Sequence, residues 1–259
     1  MTHRLVQISD THLPPLAEEC LFGFNPYKSL EFVIQSINDL DTKPDTIVVT
    51  GDVANSGTAS GYTLFKDLVT TLGIPVYWLA GNHDKPKEMS TIADENPISA
   101  ASSATLGAWR YIGLNSQVLG ESYGHLSAQE LGFLKRELEK CPTRPTLLAL
   151  HHTPCSPCAD TNCQLKNREE LFSILDSHSQ VQLILAGHTH QAEQQRVGEI
   201  EVFTAPSTFA QATHAHDLSD VDPEDFFVAH TLSGSRVGFR VFDLAADGGY
   251  AQTLHWLQA

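Results

Sequence analysis

Five short groups of acids, an amide and histidines punctuate the sequence: Asp10-Thr11-His12, Gly51-Asp52, Gly81-Asn82-His83-Asp84, His151-His152 and Gly187-His188-Thr189-His190. Asp10, His12, Asp52, Asn82, His151, His188 and His190 together form a mixed oxygen and nitrogen donor set. One divalent ion rarely needs so many protein ligands of these types. Two ions sharing one carboxylate use them all, about four each, and leave an open place for water. Taken alone each group is weak, since a GD or a GNHD also occurs in simple turns. Five of them in one chain are a strong signal.

What must position these residues is a set of short apolar runs. Residues 4–9, 46–50, 75–80, 146–150 and 181–186 each run directly into one of the groups. They are rich in β-formers, as strands covered on both faces are. His188 and His190 would leave the end of theirs pointing the same way, because alternate side chains of an extended segment share a face. Helical signals lie between the runs. Asn25 can cap a helix with Pro26 at its first position, residues 62–72 are a second candidate, and Ser127 to Glu130 spell a capping box. Asn167 can cap a fourth. Alternating strands and helices indicate an α/β fold with its ligands at the carboxyl ends of the strands.

After residue 193 the helical signals stop. Strand candidates follow at residues 194–197, 200–204, 226–232, 236–242 and 251–256, expected to form a second sheet packed on the first. No linker or composition break separates the halves, so a single domain over residues 1–259 is expected. The acidic stretch 217–225 reads as a solvated loop.

The totals narrow the partners. Thirty-one acids against 16 bases give a net charge of −15, and no cluster of Lys or Arg offers a footprint for a phosphate backbone, so a long nucleic acid is excluded. A small anion can still bind where cations reverse the field locally. No apolar segment approaches the ~18 residues that span a bilayer, and the start MTHRLVQISD carries no basic segment followed by an apolar stretch. A soluble, cytoplasmic protein without a membrane partner is expected. Five cysteines do not make a disulfide framework. Cys155, Cys158 and Cys163 are read as reduced loop thiols, because a structural zinc site usually takes four ligands.

At this point the groups carry a resemblance. DTH, GD, GNHD, HH and GHTH in this order resemble the signature of the calcineurin-like metallophosphoesterases. QISDTHL, VVTGDVANSG, WLAGNHDKP, LALHHTP, LAGHTHQ and TAPSTFAQ resemble the blocks of the bacterial class III cyclic nucleotide phosphodiesterases, the cyclic AMP phosphodiesterase family. The likeness covers nearly the whole chain, most firmly from residue 5 to about 214. It implies a four-layer αββα sandwich of two mixed β-sheets flanked by helices. It also implies that Asp10, His12 and His190 hold a first metal, Asn82, His151 and His188 a second, and that Asp52 bridges them. The family places its ligand first in the HHxP block, hence His151, with His152 supporting it or facing the substrate. Iron, manganese and zinc all suit these ligand types.

The activity implied is hydrolysis of 3',5'-cyclic AMP, or a related small phosphodiester, by a hydroxide bridging two metal ions. Glycerophosphodiesters and phosphomonoesters are the alternative substrates. A non-catalytic scaffold should have lost ligands, and none is missing. His83 is expected outside the metals' ligand set, stabilising the phosphoryl group or protonating the leaving oxygen, with Asp84 orienting it. Phe22, Phe24, Phe209 and His214 could line a base pocket, though each is more often a core or loop residue and none is counted among the site residues.

Overall fold

Period-two burial explains how the apolar runs are used. The computed structural model describes residues 2–92, 97–100, 102–155, 164–211 and 236–258. Its first half contains β1 (His3–Ile8), α1 (Pro26–Asn38), β2 (Thr46–Val49), α2 (Ala59–Val69), β3 (Val76–Trp78), α3 (Pro86–Met89), β4 (Ile98–Ser99), β5 (Ser103–Leu106) and β6 (Trp109–Gly113). Its second half contains α4 (Ala128–Lys140), β7 (Thr146–Ala149), α5 (Arg168–Leu175), β8 (Val181–Ala186), β9 (Gln194–Val197), β10 (Ile200–Thr204), β11 (Arg236–Leu244) and β12 (Tyr250–Gln258).

The strands form two six-stranded mixed sheets, β12-β11-β1-β2-β3-β4 and β5-β6-β7-β8-β10-β9. Strands β1 to β4 run parallel, with β11 antiparallel beside β1. In the second sheet β6, β7, β8 and β10 run parallel, with antiparallel β5 and β9 outside them. Alternate residues of each central strand enter different cores. Val6, Ile47 and Val49 pack with Leu30, Val33 and Phe65 of α1 and α2. Leu148 and Ile184 pack with Leu134 and Leu171 of α4 and α5. Leu5, Val48, Leu147, Leu183 and Leu185 meet between the sheets, around Trp109, Phe203 and Phe242. The layers are therefore helix, sheet, sheet, helix. Parallel strands buried on both faces account for runs with no polar alternation.

The strand-rich end of the chain does not form a sheet of its own. Strands β9 and β10 complete the second sheet, and β11 and β12 complete the first. The five runs that precede the chemical groups are also divided, three to the first sheet and two to the second. Runs that are apolar on both faces carry no mark of which sheet they join, and only tertiary pairing decides it. The strand candidate at 226–232, the acidic stretch 217–225, Cys158, Cys163 and His214 lie outside the described residues.

The helix starts differ in detail. Asn25 Oδ1 accepts from Lys28 N at 2.9 Å, with Pro26 in the first turn. Helix α2 begins at Ala59 rather than Tyr62, capped by Thr58. Ser127 caps α4, but the Glu130 carboxylate accepts from Asn115 N at 3.0 Å instead of closing the capping box. Asn167 makes no cap with its side chain, which instead exchanges two hydrogen bonds with the Leu126 backbone, each 2.9 Å. An amide offers both a donor and an acceptor, and the passing Leu126 backbone uses both.

A candidate dimetal centre

The crevice lies where the strand ends of the two sheets meet. Gln7, buried on β1, donates from Nε2 to Ala186 O at 2.9 Å and to Thr50 Oγ1 at 3.2 Å. It thereby joins the last turns of β1, β2 and β8 just below the chemical groups. Beyond each strand the backbone turns sharply. Asp10, His12, Asp52, His188 and His190 all have positive φ, at 53°, 45°, 52°, 70° and 51°. A left-handed non-glycine residue costs ~1–2 kcal/mol. Such strain concentrates at functional sites, where the surrounding structure holds it in place.

Two neighbouring glycines are required for space. A Cβ on Gly81 would overlap Asp52 Oδ1, and one on Gly187 would overlap Ser9 Oγ and crowd Asp10 Oδ2. Neither has positive φ, so their task is close approach and not the turn itself.

The turns bring the donors together. His12 Nε2 lies 3.0 Å from His190 Nε2, which is 3.6 Å from Asp10 Oδ1. His151 Nε2 lies 3.1 Å from Asn82 Oδ1. Asp52 Oδ2 stands between these pairs, 3.7 Å from His12 Nε2 and 3.4 Å from His151 Nε2. The donors of Asp10, His12 and His190 fall within 4.8 Å of one another, as do those of His151, His152 and His188. His152 is fully buried beside this second group, with Nδ1 2.8 Å from Ser116 Oγ and Nε2 without a hydrogen-bond partner.

Do these residues suit metal ions? His151 and His190 donate from Nδ1 to the carbonyls of Thr50 and Ala210, both at 2.7 Å. As a neutral imidazole, each ring then presents the Nε2 lone pair to the crevice, the orientation that metal-binding histidines take. His188 Nε2 is buried without a hydrogen-bond partner. A buried nitrogen with nothing to bond is costly, and a cation would resolve it. The donor set fits.

Charge in the metal-free chain follows the same geometry. Burial pushes the Asp10 carboxyl above its usual range. Burial would also raise Asp52, but the charge and hydrogen bond of His151, with His12 and His83 adding, hold it well below. Burial opposes a charge on His151, yet Asp52 chiefly, then Asp10 and the Thr50 carbonyl, lift it to about 9. Burial and the His151 charge push His188 down to about 3. The centre holds an Asp52–His151 ion pair beside the uncharged imidazoles of His12 and His188.

His83 and Asp84 take separate places. The His83 amide donates to Asp52 Oδ1 at 2.9 Å, its ring Nδ1 donates to Asn55 O at 2.9 Å, and the ring meets His12 edge-on at 4.7 Å. Asp84 does not orient that ring. Its carboxylate accepts from the amides of Gly81, Val53 and Ala54 at 2.9–3.1 Å and from Tyr62 Oη at 3.1 Å. The turn aims it back into the loop, where unpaired amides collect. Burial, with Asp52 adding, raises its carboxyl to about 6.

A pocket of about 370 Å³ opens beside the centre, lined by His12, His83 and His190 on one side and by Leu21, Phe22 and Phe209 on the other. Phe24 packs edge-on against Phe209 at 6.3 Å and does not line it. Cys20, Asn55 and Gln211 also border the pocket. No residue-type signal marked these three, since only the fold brings them alongside the histidines.

Comparison with known proteins gives the family and the fold. The sequence pattern of the family described as Calcineurin-like phosphoesterase matches residues 3–192. The chain is 33% identical over 258 residues to a 3',5'-cyclic adenosine monophosphate phosphodiesterase of Escherichia coli K12, covering 98% of this chain and 90% of that one. It is 34% identical over 223 residues to a probable glycerophosphodiester phosphodiesterase of Arcobacter nitrofigilis, covering 78% and 77%. A dimetal phosphatase from Danio rerio shares the fold, with a TM-score of 0.66 at 13% identity over 93% of this chain and 95% of that one.

Proposed function

The chain belongs to the calcineurin-like phosphoesterase family, and from that premise we propose that it hydrolyses 3',5'-cyclic AMP. The observation that carries this choice is the apolar pocket beside His12, His83 and His190. A diester whose phosphate sits at the centre must extend its remaining groups toward Leu21, Phe22 and Phe209. A purine offers a π-face to such walls, whereas a glycerol headgroup offers them no comparable apolar surface.

In this reading Asp10, His12 and His190 would hold one cation and Asn82, His151 and His188 a second, with Asp52 serving both. Iron, manganese and zinc all suit the set. When bound, such cations supply acidification of water and neutralisation of charge on phosphoryl oxygens. The protein's own contributions are separate. Asp10 and Asp52 keep two carboxylates in the cluster, leaving a surplus of positive charge once two divalent cations are present. His83 commits Nδ1–H to Asn55 O, so Nε2 is the atom left for chemistry. As water adds to phosphorus it gives up one proton to solvent, and as one P–O ester bond breaks the departing ribose oxygen takes one up. His83 as imidazolium donates it. Phe22 and Phe209 position the base and exclude water from one side.

The substrate is small, and a long nucleic acid would meet a chain of net charge −15. No helix among the described residues is long and apolar enough to cross a membrane. The test is turnover of cyclic AMP and of glycerophosphocholine by protein reconstituted in turn with iron, manganese and zinc, with products identified. Release of AMP at the higher kcat/KM supports the assignment. Efficient cleavage of glycerophosphocholine without cyclic AMP turnover would replace it.

A further inference from the structure

We propose that Gln117 is a positioning residue for His83, holding the loop that carries it against the second sheet. The inference rests on the reading of His83 as a group that acts on the diester. Asn82 and His83 follow β3 of the first sheet, whereas Gln117 follows β6 of the second. The Gln117 amide nitrogen donates to Gly81 O at 2.7 Å and to Asp84 O at 2.6 Å. A primary amide has two N–H groups, and both are spent on the carbonyls that bracket Asn82-His83. Gln117 is itself fixed. Its backbone amide donates to Asn115 Oδ1 at 3.0 Å, and it forms an antiparallel bridge with Gly124.

The loop is thus gripped from two sides. Asp84 gathers its amide edge together with Val53 and Ala54, the residues after Asp52. That grip keeps the two loops of the first sheet in register. It does not reach the second sheet, which supplies His151 and His188. Gln117 makes that connection through the loop's backbone, beside the side-chain contact of His151 Nε2 with Asn82 Oδ1. With both its donors used at short distance, it sets where His83 stands relative to the half of the centre built on β7 and β8. Asn82, a candidate ligand, stands in the same gripped loop, but its Oδ1 also meets His151 Nε2 at 3.1 Å, so the donor set keeps a second anchor when Gln117 is replaced. A misplacement of about 1 Å in a reacting group costs ~10²-fold.

The test is a double-mutant cycle with zinc-reconstituted protein. Gln117→Met keeps the length and removes both donors, and Gln117→Glu serves as a second variant that presents acceptors alone. On cyclic AMP each should lower kcat by ~10–100-fold, with KM little changed and metal content unaltered. In a His83→Ala background the same substitutions should cost almost nothing, because the group they position is gone. The His83 ring N–H signal in proton NMR, identified by its loss in His83→Ala, should shift or broaden in both Gln117 variants. An unchanged ring signal, equal losses in both backgrounds, or loss of metal would overturn the proposal. Absence of cyclic AMP turnover by the wild-type protein would instead overturn the functional reading, and the ring signal would still decide the role of Gln117.

Discussion

His12 and His190 point their Nε2 atoms at each other across 3.0 Å. The His190 ring presents a lone pair there, because its Nδ1–H is given to Ala210 O. Burial holds the His12 imidazole well below its ordinary pKa, so the charged imidazolium is disfavoured. Two converging nitrogens beside a buried carboxylate are an arrangement that a cation stabilises. Chelation should therefore lower the melting temperature. Ligand linkage gives about 4 kcal/mol when free metal stands 1,000-fold above Kd, which corresponds to a shift of roughly 8–16 °C for a large domain. Calorimetric scans with and without EDTA check this, and an unmoved transition would speak against a metal held by the folded state.

Asp52 lies between the two donor groups, 3.7 Å from His12 and 3.4 Å from His151. If its charge serves both ions, Asp52→Asn should weaken both together and abolish turnover. His190→Ala should empty chiefly the first position and His188→Ala the second. Metal analysis of the three variants after dialysis tests the sharing. Loss of only one ion in Asp52→Asn would remove Asp52 from the bridge.

The ion pair of Asp52 and His151 gives a pH dependence with a definite sign. His151 is raised to about 9 in the metal-free chain, so it carries a proton at neutral pH. A metal ligand must be the neutral imidazole, so uptake near pH 7 should expel about one proton per chain. Apparent affinity should rise with pH and level off near the His151 value of about 9. Titration calorimetry in two buffers of different ionisation heat measures the released proton directly. Heats that do not depend on the buffer would contradict the assignment.

The convergence of these side chains was legible in the sequence because each follows an apolar run and local order is retained in the fold. His188 and His190 could be paired from spacing alone. The division of the runs between two sheets was not legible, since Val48 and Val49 look alike in sequence and face different cores. Asp84 was misread for a related reason. Adjacency to His83 suggested a partnership, but the turn sends the two side chains to different neighbours, Asn55 O for the ring and the Gly81 amide for the carboxylate. The sequence also left His151 and His152 as near-equals. In the fold they differ sharply, because His151 Nε2 meets Asp52 while His152 bonds Ser116 in the interior.

The role of His83 can be read from leaving groups. Its ring is fixed by Asn55 O and stands 4.7 Å from His12, on the wall of the pocket. If it donates a proton to the departing ribose oxygen, His83→Ala should cost roughly 10²–10⁴-fold on cyclic AMP. A nitrophenolate is stable as an anion and leaves with little help from an acid. The same variant should then lose far less on bis(nitrophenyl) phosphate, with metal content unchanged. Equal losses on the two esters would assign His83 to stabilising the phosphoryl group, because that charge develops in both reactions. Loss of an ion from the variant would make His83 a ligand, which its donor atom's closeness to those of His12 and Asp52 allows. Kinetics on the two esters, read beside metal analysis, therefore separate acid, stabiliser and ligand with one substitution.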